Sequence, residues 1–252
     1  MSTIKINETS SPRDTRTLKT MNKEQLLQHI KNRLIVSCQA EGHEPLGQPH
    51  ILAAMARAAV LGGAAGIRAN YPENIRAIAR AVKMPVIGIF KKEYAGSPVF
   101  ITPTEKEAMA VAATGCAIIA MDATKRVRPE KADLSEMIAK LRASTPALLM
   151  ADIATIEDAR QAAKLGFDLI GTTLSGYTDE TKARAKDDLP DFELLQQCVK
   201  EFAPQIPVIA EGRIWTPEQA RQALDLGAHA VVVGSAITRP WLITERFVKA
   251  MK

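Results

Sequence analysis

Lys91 is the residue best placed for proton chemistry, because it closes the apolar run Val86-Ile-Gly-Ile-Phe90. Side chains alternate along a strand, so Lys91 points to one face while Lys92 points to the other and is solvated. A lysine among apolar walls and near another cation loses its proton more easily, and the neutral amine can take a weakly acidic proton from carbon. The competing reading is a solvent-facing loop lysine. Later in the chain, Glu211-Gly212-Arg213 and Val233-Gly234-Ser235 put small residues where backbone N–H groups can approach a phosphate near a helix start. The plainer reading is that Gly212 and Gly234 allow tight turns. Arg239, one turn further, is a second cation for such a group or a solvated charge. Glu211 suits three roles: proton donor, partner that orients Lys91, or ion-pair mate of Arg213. Gln39, Arg68 and Asp152 end other apolar runs, and Arg68 and Asp152 either bind substrate hydroxyls or belong to a rim of structural ion pairs.

Other chemistries find less support. His29, His43, His50 and His229 show neither HxH nor HExxH spacing, so no metal is expected, and His229 reads as structural. There is no GxSxG elbow for a serine nucleophile. Cys38, Cys116 and Cys198 lie far apart, which argues for reduced, packed thiols over disulfides or a zinc ribbon. A net charge of +5 suits an anionic partner, but the basic residues are scattered and only eleven aromatic side chains exist to stack on bases. A small phosphorylated metabolite fits better than nucleic acid. No run approaches the roughly 18 apolar residues of a membrane span, and no secretory leader is recognisable, so the expected location is the cytoplasm.

These residues need a scaffold that brings strand ends together. The chain has 252 residues, 46% of them hydrophobic, enough for a large core. Residues 1–22 read as a polar, flexible tail. Beyond it, eight short apolar runs begin at Leu34, Gly66, Val86, Ala117, Ala147, Asp168, Pro207 and Ala230, separated by segments of helical period. Thr104 with Glu107 and Thr216 with Gln219 read as capping boxes, and Thr155 and Asp133 as N-caps. Gly62, Gly115, Gly166 and Gly227 each follow a helix, where a left-handed C-cap is expected. Thr155-Ile-Glu-Asp-Ala-Arg-Gln161 is echoed by Thr216-Pro-Glu-Gln-Ala-Arg-Gln222, two strand–helix units later. Eight such units in residues 23–252 predict one α/β domain, a closed (β/α)8 barrel of the TIM type. An open doubly wound sheet is disfavoured, because Cys38-Gln-Ala-Glu-Gly-His-Glu-Pro45 stands where GxGxxG would follow the first strand. In such a barrel the C-terminal strand ends build the site, which also brings Asp122, Thr124, Thr172 and Thr173 into view.

Taken together, Ile35-Val-Ser-Cys-Gln-Ala40, Gly66-Ile-Arg-Ala-Asn70, Ile87-Gly-Ile-Phe-Lys-Lys92, Phe100-Ile-Thr-Pro-Thr104, Met121-Asp-Ala-Thr124, Ala151-Asp-Ile153, Gly171-Thr-Thr-Leu-Ser-Gly-Tyr177 and Ala210-Glu-Gly-Arg213 make a signature. From about residue 24 onward it resembles the N-acetylmannosamine-6-phosphate 2-epimerase family. The resemblance implies an isomerase without metal or redox cofactor, acting in amino sugar and sialic acid catabolism. It would interconvert N-acetylmannosamine 6-phosphate and N-acetylglucosamine 6-phosphate. It also implies Lys91 as acid/base at carbon 2 with Glu211 as catalytic partner. Gln39, Arg68, Asp152 and Arg239 would hold the sugar and phosphate, with Gly212, Arg213, Gly234 and Ser235 around the phosphate. A homodimer is implied as well, and the amphipathic segment Trp241–Met251 could serve it. The charged stretch from Asp179 to Asp188 departs from the expected loop. The alternatives are another phosphosugar barrel (a pentose-phosphate epimerase, an aldolase working through a Schiff base, or a synthase) and a non-catalytic phosphosugar-binding barrel.

Overall fold

The computed structural model describes residues 21–40 and 44–252; the expected tail up to residue 20 and His43 lie outside them. Eight strands form one closed parallel barrel: β1 (Leu34–Cys38), β2 (Gly66–Asn70), β3 (Val86–Ile89), β4 (Ile118–Asp122), β5 (Leu148–Asp152), β6 (Leu169–Gly171), β7 (Val208–Glu211) and β8 (Ala230–Val233), with β8 pairing back to β1. Each strand is apolar on both faces because both are covered. Ile67, Ala69, Ile119 and Leu149 face the helices, while Ile87, Ile89, Ile118, Leu148, Met150 and Ile209 fill the barrel.

Among the described residues ten α-helices accompany the strands: α1 (Lys23–Ile30), α2 (Pro49–Leu61), α3 (Pro72–Ala81), α4 (Glu105–Ala112), α5 (Leu134–Ser144), α6 (Ile156–Lys164), α7 (Phe192–Phe202), α8 (Pro217–Asp225), the short α9 (Ser235–Thr238) and α10 (Pro240–Ala250). The Thr216–Gln219 box forms, Thr155 makes a second with Asp158, and Asp133 caps α5 through Ser135 and Glu136 N–H groups. Thr104 does not cap α4: its hydroxyl goes to the Glu107 carboxylate, which turns instead toward Tyr94 and Lys92. The left-handed glycine after α2 is Gly63 (φ 98°), not Gly62, because α2 runs one residue further before it reverses.

Helix α1 closes the floor of the barrel. Leu26 and Ile30, with Met21 and Leu27 beside them, pack on the same inner cluster as Ile35, Leu148 and Leu169. Asp168 fastens this end, taking Lys23 at 2.6 Å, Arg142 at 2.7 Å and the Leu149 N–H. His229 joins it through Leu27 O, 2.9 Å from Nε2, and burial pushes its pKa below the usual value. Met21 and Asn22, read as the end of the tail, take part in this closure, since Asn22 forms a capping box with Gln25. All three cysteines are free and buried, and burial pushes the Cys38 thiol up to about 12. Cys116 packs against Gly88, where a Cβ would stand 2.9 Å from its sulfur, so it serves packing.

Candidate functional site

The strand period decides what reaches the mouth. Ser37 and Gln39, Arg68, Lys91, Thr173, Glu211 and Gly234 each continue an inward-facing series, and all line one cavity of about 340 Å³ at the C-terminal ends of the strands. Gly212, Arg213, Ser235 and Arg239 line it too, so all but one of the expected site residues meet there. Asp152 is the exception: it is fully buried beneath the wall, where it acts on Arg68 and Thr173 rather than facing the cavity.

At the centre, Arg68 is 1% exposed and faces two carboxylates. Its Nη1 and Nη2 donate to Asp152 at 3.1 and 2.6 Å, and Nη1 also lies 2.9 Å from Glu211 Oε2. Burial disfavours the guanidinium cation, but Asp152, then Glu211, and the hydrogen bond to Asp152 outweigh it and hold its pKa above the ordinary value. One cation cannot fully compensate two carboxylates. Burial, helped by the Asp152 charge, raises Glu211 to about 7 against the downward pull of Arg68, Thr173 and Lys91. Lys91 is thus close enough to stabilise the Glu211 carboxylate. Glu211 pairs with Arg68, not with Arg213, which closes one of the three readings of its role.

Asn70 holds the backbone of Lys91 and Glu107 holds its neighbour Lys92, roles that the sequence reading gave to neither. Asn70 Oδ1 accepts the Lys91 backbone N–H at 2.8 Å, and Lys91 pairs with Ile101 in a two-residue antiparallel bridge. On the other face Lys92 is not simply solvated: it lies 3.4 Å from Glu107 and 4.6 Å from the Tyr94 ring centroid. The period of two signals the alternation, but pairings across the β3–α4 loop have no local signature.

The other end of the cavity is formed by the β7 and β8 turns. Gly212 (φ 114°) and Arg213 (φ 53°) are left-handed, and this turn sends the Arg213 guanidinium to Ser175 O at 2.7 Å and Leu189 O at 2.9 Å. The guanidinium lies against Gly176, where a Cβ would sit 2.7 Å away, and its Nη1 makes no hydrogen bond. Helix α9 starts at Ser235, and Thr238 ties it to Ser37 O at 2.7 Å. Arg239 pairs with Glu44 at 2.8 Å. Trp215 adds a wall that the sequence reading passed over; Arg246 stacks on its ring at 4.0 Å.

The remaining candidates go elsewhere. Asp122 is buried and accepts from Thr124 and Arg126, and Arg128 donates to its carbonyl, so these two arginines are spent on the β4 loop. The Thr172 hydroxyl bonds Glu211 backbone. Among the described residues no His, Cys, Asp and Glu group could hold a metal ion.

Comparison with known proteins adds an independent line. The family described as "Putative N-acetylmannosamine-6-phosphate epimerase" matches residues 52–252. A "Putative N-acetylmannosamine-6-phosphate 2-epimerase" of Clostridioides difficile strain 630 is 49% identical over 227 residues, 90% of this chain and 99% of the relative. One of the same description from Listeria monocytogenes strain EGD-e is 52% identical over 223 residues, covering 88% and 93%. The solved N-acetylmannosamine-6-phosphate 2-epimerase of Clostridium perfringens superposes with a TM-score of 0.86 at 47% identity, covering 92% of this chain and 98% of that one.

Proposed function

Because the chain belongs to the N-acetylmannosamine-6-phosphate epimerase family, we propose that it interconverts N-acetylmannosamine 6-phosphate and N-acetylglucosamine 6-phosphate in amino sugar catabolism. The two differ only in configuration at carbon 2. The proton there becomes weakly acidic once the ring opens and carbon 1 is an aldehyde. Lys91, as a neutral amine, removes it. Negative charge then develops on the carbon 1 oxygen, where the Arg68 guanidinium and the Glu211 carboxylic acid stabilise it. Asp152 holds Arg68 in its plane. Gln39 orients hydroxyl groups, and Gly212, Arg213, Gly234, Ser235 and Arg239 receive the phosphate, whose binding energy fixes carbon 2 against Lys91.

The observation that carries this reading is the convergence of Lys91, Arg68 and Glu211 on one cavity, with Glu211 keeping its proton up to about pH 7. Transfer of deuterium from heavy water to carbon 2, followed by NMR with either hexosamine phosphate, tests it. Wild-type protein exchanges and Lys91→Ala does not, while both melt alike; absence of exchange in the wild type overturns the reading. We place the enzyme in the cytoplasm, where its phosphorylated substrate would be available. No helix among the described residues is long and apolar enough to cross a membrane.

A further inference from the structure

The Thr173 hydroxyl stands between two carboxylates, with Oγ1 at 2.8 Å from Asp152 Oδ1 and 3.0 Å from Glu211 Oε2. A hydroxyl carries one proton and can donate to one of these oxygens. The other contact is favourable only when that oxygen has a proton to give back. Asp152 is not the carrier: both of its oxygens accept Arg68 N–H groups, which favours its carboxylate over that of Glu211, which meets Nη1 through Oε2. The second proton therefore sits on Glu211.

We propose that Thr173 is a positioning residue for proton transfer by Glu211, its hydroxyl donating to Asp152 while Glu211 is an acid and turning to Glu211 once that acid is ionised. In the transfer the Glu211 O–H bond breaks, the proton passes to the developing oxyanion of the substrate, and the Thr173 O–H reorients without leaving its oxygen. The inference rests on the acid role given to Glu211 above. Among the described residues, the other titratable or charged groups around Glu211 are Arg68 from β2, Lys91 after β3, Asp152 from β5, Tyr177 after β6, Asp191 before α7, Arg213 on its own turn and Arg239 after α9. Tyr177 is the other neutral hydroxyl in this set; it is the Thr173 oxygen that stands 3.0 Å from Glu211 Oε2 and so can serve both charge states.

The test is a titration of the Glu211 carboxyl by pH-difference infrared spectroscopy, with its band assigned by loss in Glu211→Gln. Wild type, Thr173→Ser and Thr173→Val are compared, with pH profiles of kcat/KM in parallel. The serine variant keeps the wild-type midpoint. The valine variant, which removes the hydroxyl at nearly constant shape, raises it by roughly 0.5–1 pH unit, because the carboxylate loses a donor. The alkaline limb of kcat/KM moves with it. Thr173→Ala gives the same readout if valine disturbs folding. An unchanged midpoint in both the valine and alanine variants overturns the inference. Full turnover in Glu211→Gln would instead defeat the acid role of Glu211, with the infrared midpoints still reporting on Thr173.

Discussion

Arg68 makes the ionisation of one carboxylate depend on the other. Replacing Asp152 with Asn removes a charge that raises Glu211, so Glu211 ionises at lower pH and the alkaline limb of kcat/KM moves down. Because it also breaks a buried ion pair, Asp152→Asn costs about 3 kcal/mol or more, measurable by urea unfolding. Glu211 itself has a signed effect on stability. Its pKa is raised from 4.5 to about 7 on folding, so the native state holds a proton that the unfolded chain has lost across that window. Stability attributable to it therefore falls as pH rises from about 4.5 to about 7. Glu211→Gln should gain on wild type through that range and no further above it, and a constant difference would contradict this. At this scale the strand period made Gln39, Arg68, Lys91 and Glu211 legible. It could not tell that Asp152 stops below the cavity wall, because that depends on Gly171 and Met150 packed beside it, so closely that a Cβ on Gly171 would run into Met150 Cε.

Among the elements, identical patterns fold differently according to what stands nearby. Thr216 and Thr104 each precede a Gln or Glu by three residues, yet only Thr216 caps, because Tyr94 and Lys92 draw Glu107 away. Thr216→Ala should cost about 1 kcal/mol, whereas Thr104→Ala acts by freeing Glu107. Helix α1 shows the larger gap between sequence and structure. Leu26, Leu27 and Ile30 give it an amphipathic spacing, but its place under the barrel is set by partners such as Asp168, 145 residues from Lys23, which no local pattern announces. Leu26→Ala should destabilise the protein by roughly 2–5 kcal/mol in thermal or urea unfolding; a loss under 1 kcal/mol would mean that α1 is not needed to close the floor.

For the whole molecule, α10 is the outlier, with no buried residue and with Trp241, Phe247 and Val248 facing outward. We propose that these side chains belong to a homodimer interface. Sedimentation equilibrium should give twice the chain mass, and Phe247→Glu should shift the population toward monomer; a monomeric wild type would refute the proposal. The eight strand–helix units were legible because each repeats the same polar punctuation, whereas the association of chains leaves only an exposed apolar face. The stopper formed by α1 has a kinetic corollary. Among the described residues α1 closes the far end of the barrel and the cavity lies at the C-terminal strand ends, so the incoming sugar phosphate and its departing epimer contend for the same site. Each should act as a competitive inhibitor of the other's turnover, and net direction is then set by whichever downstream step drains one of them away.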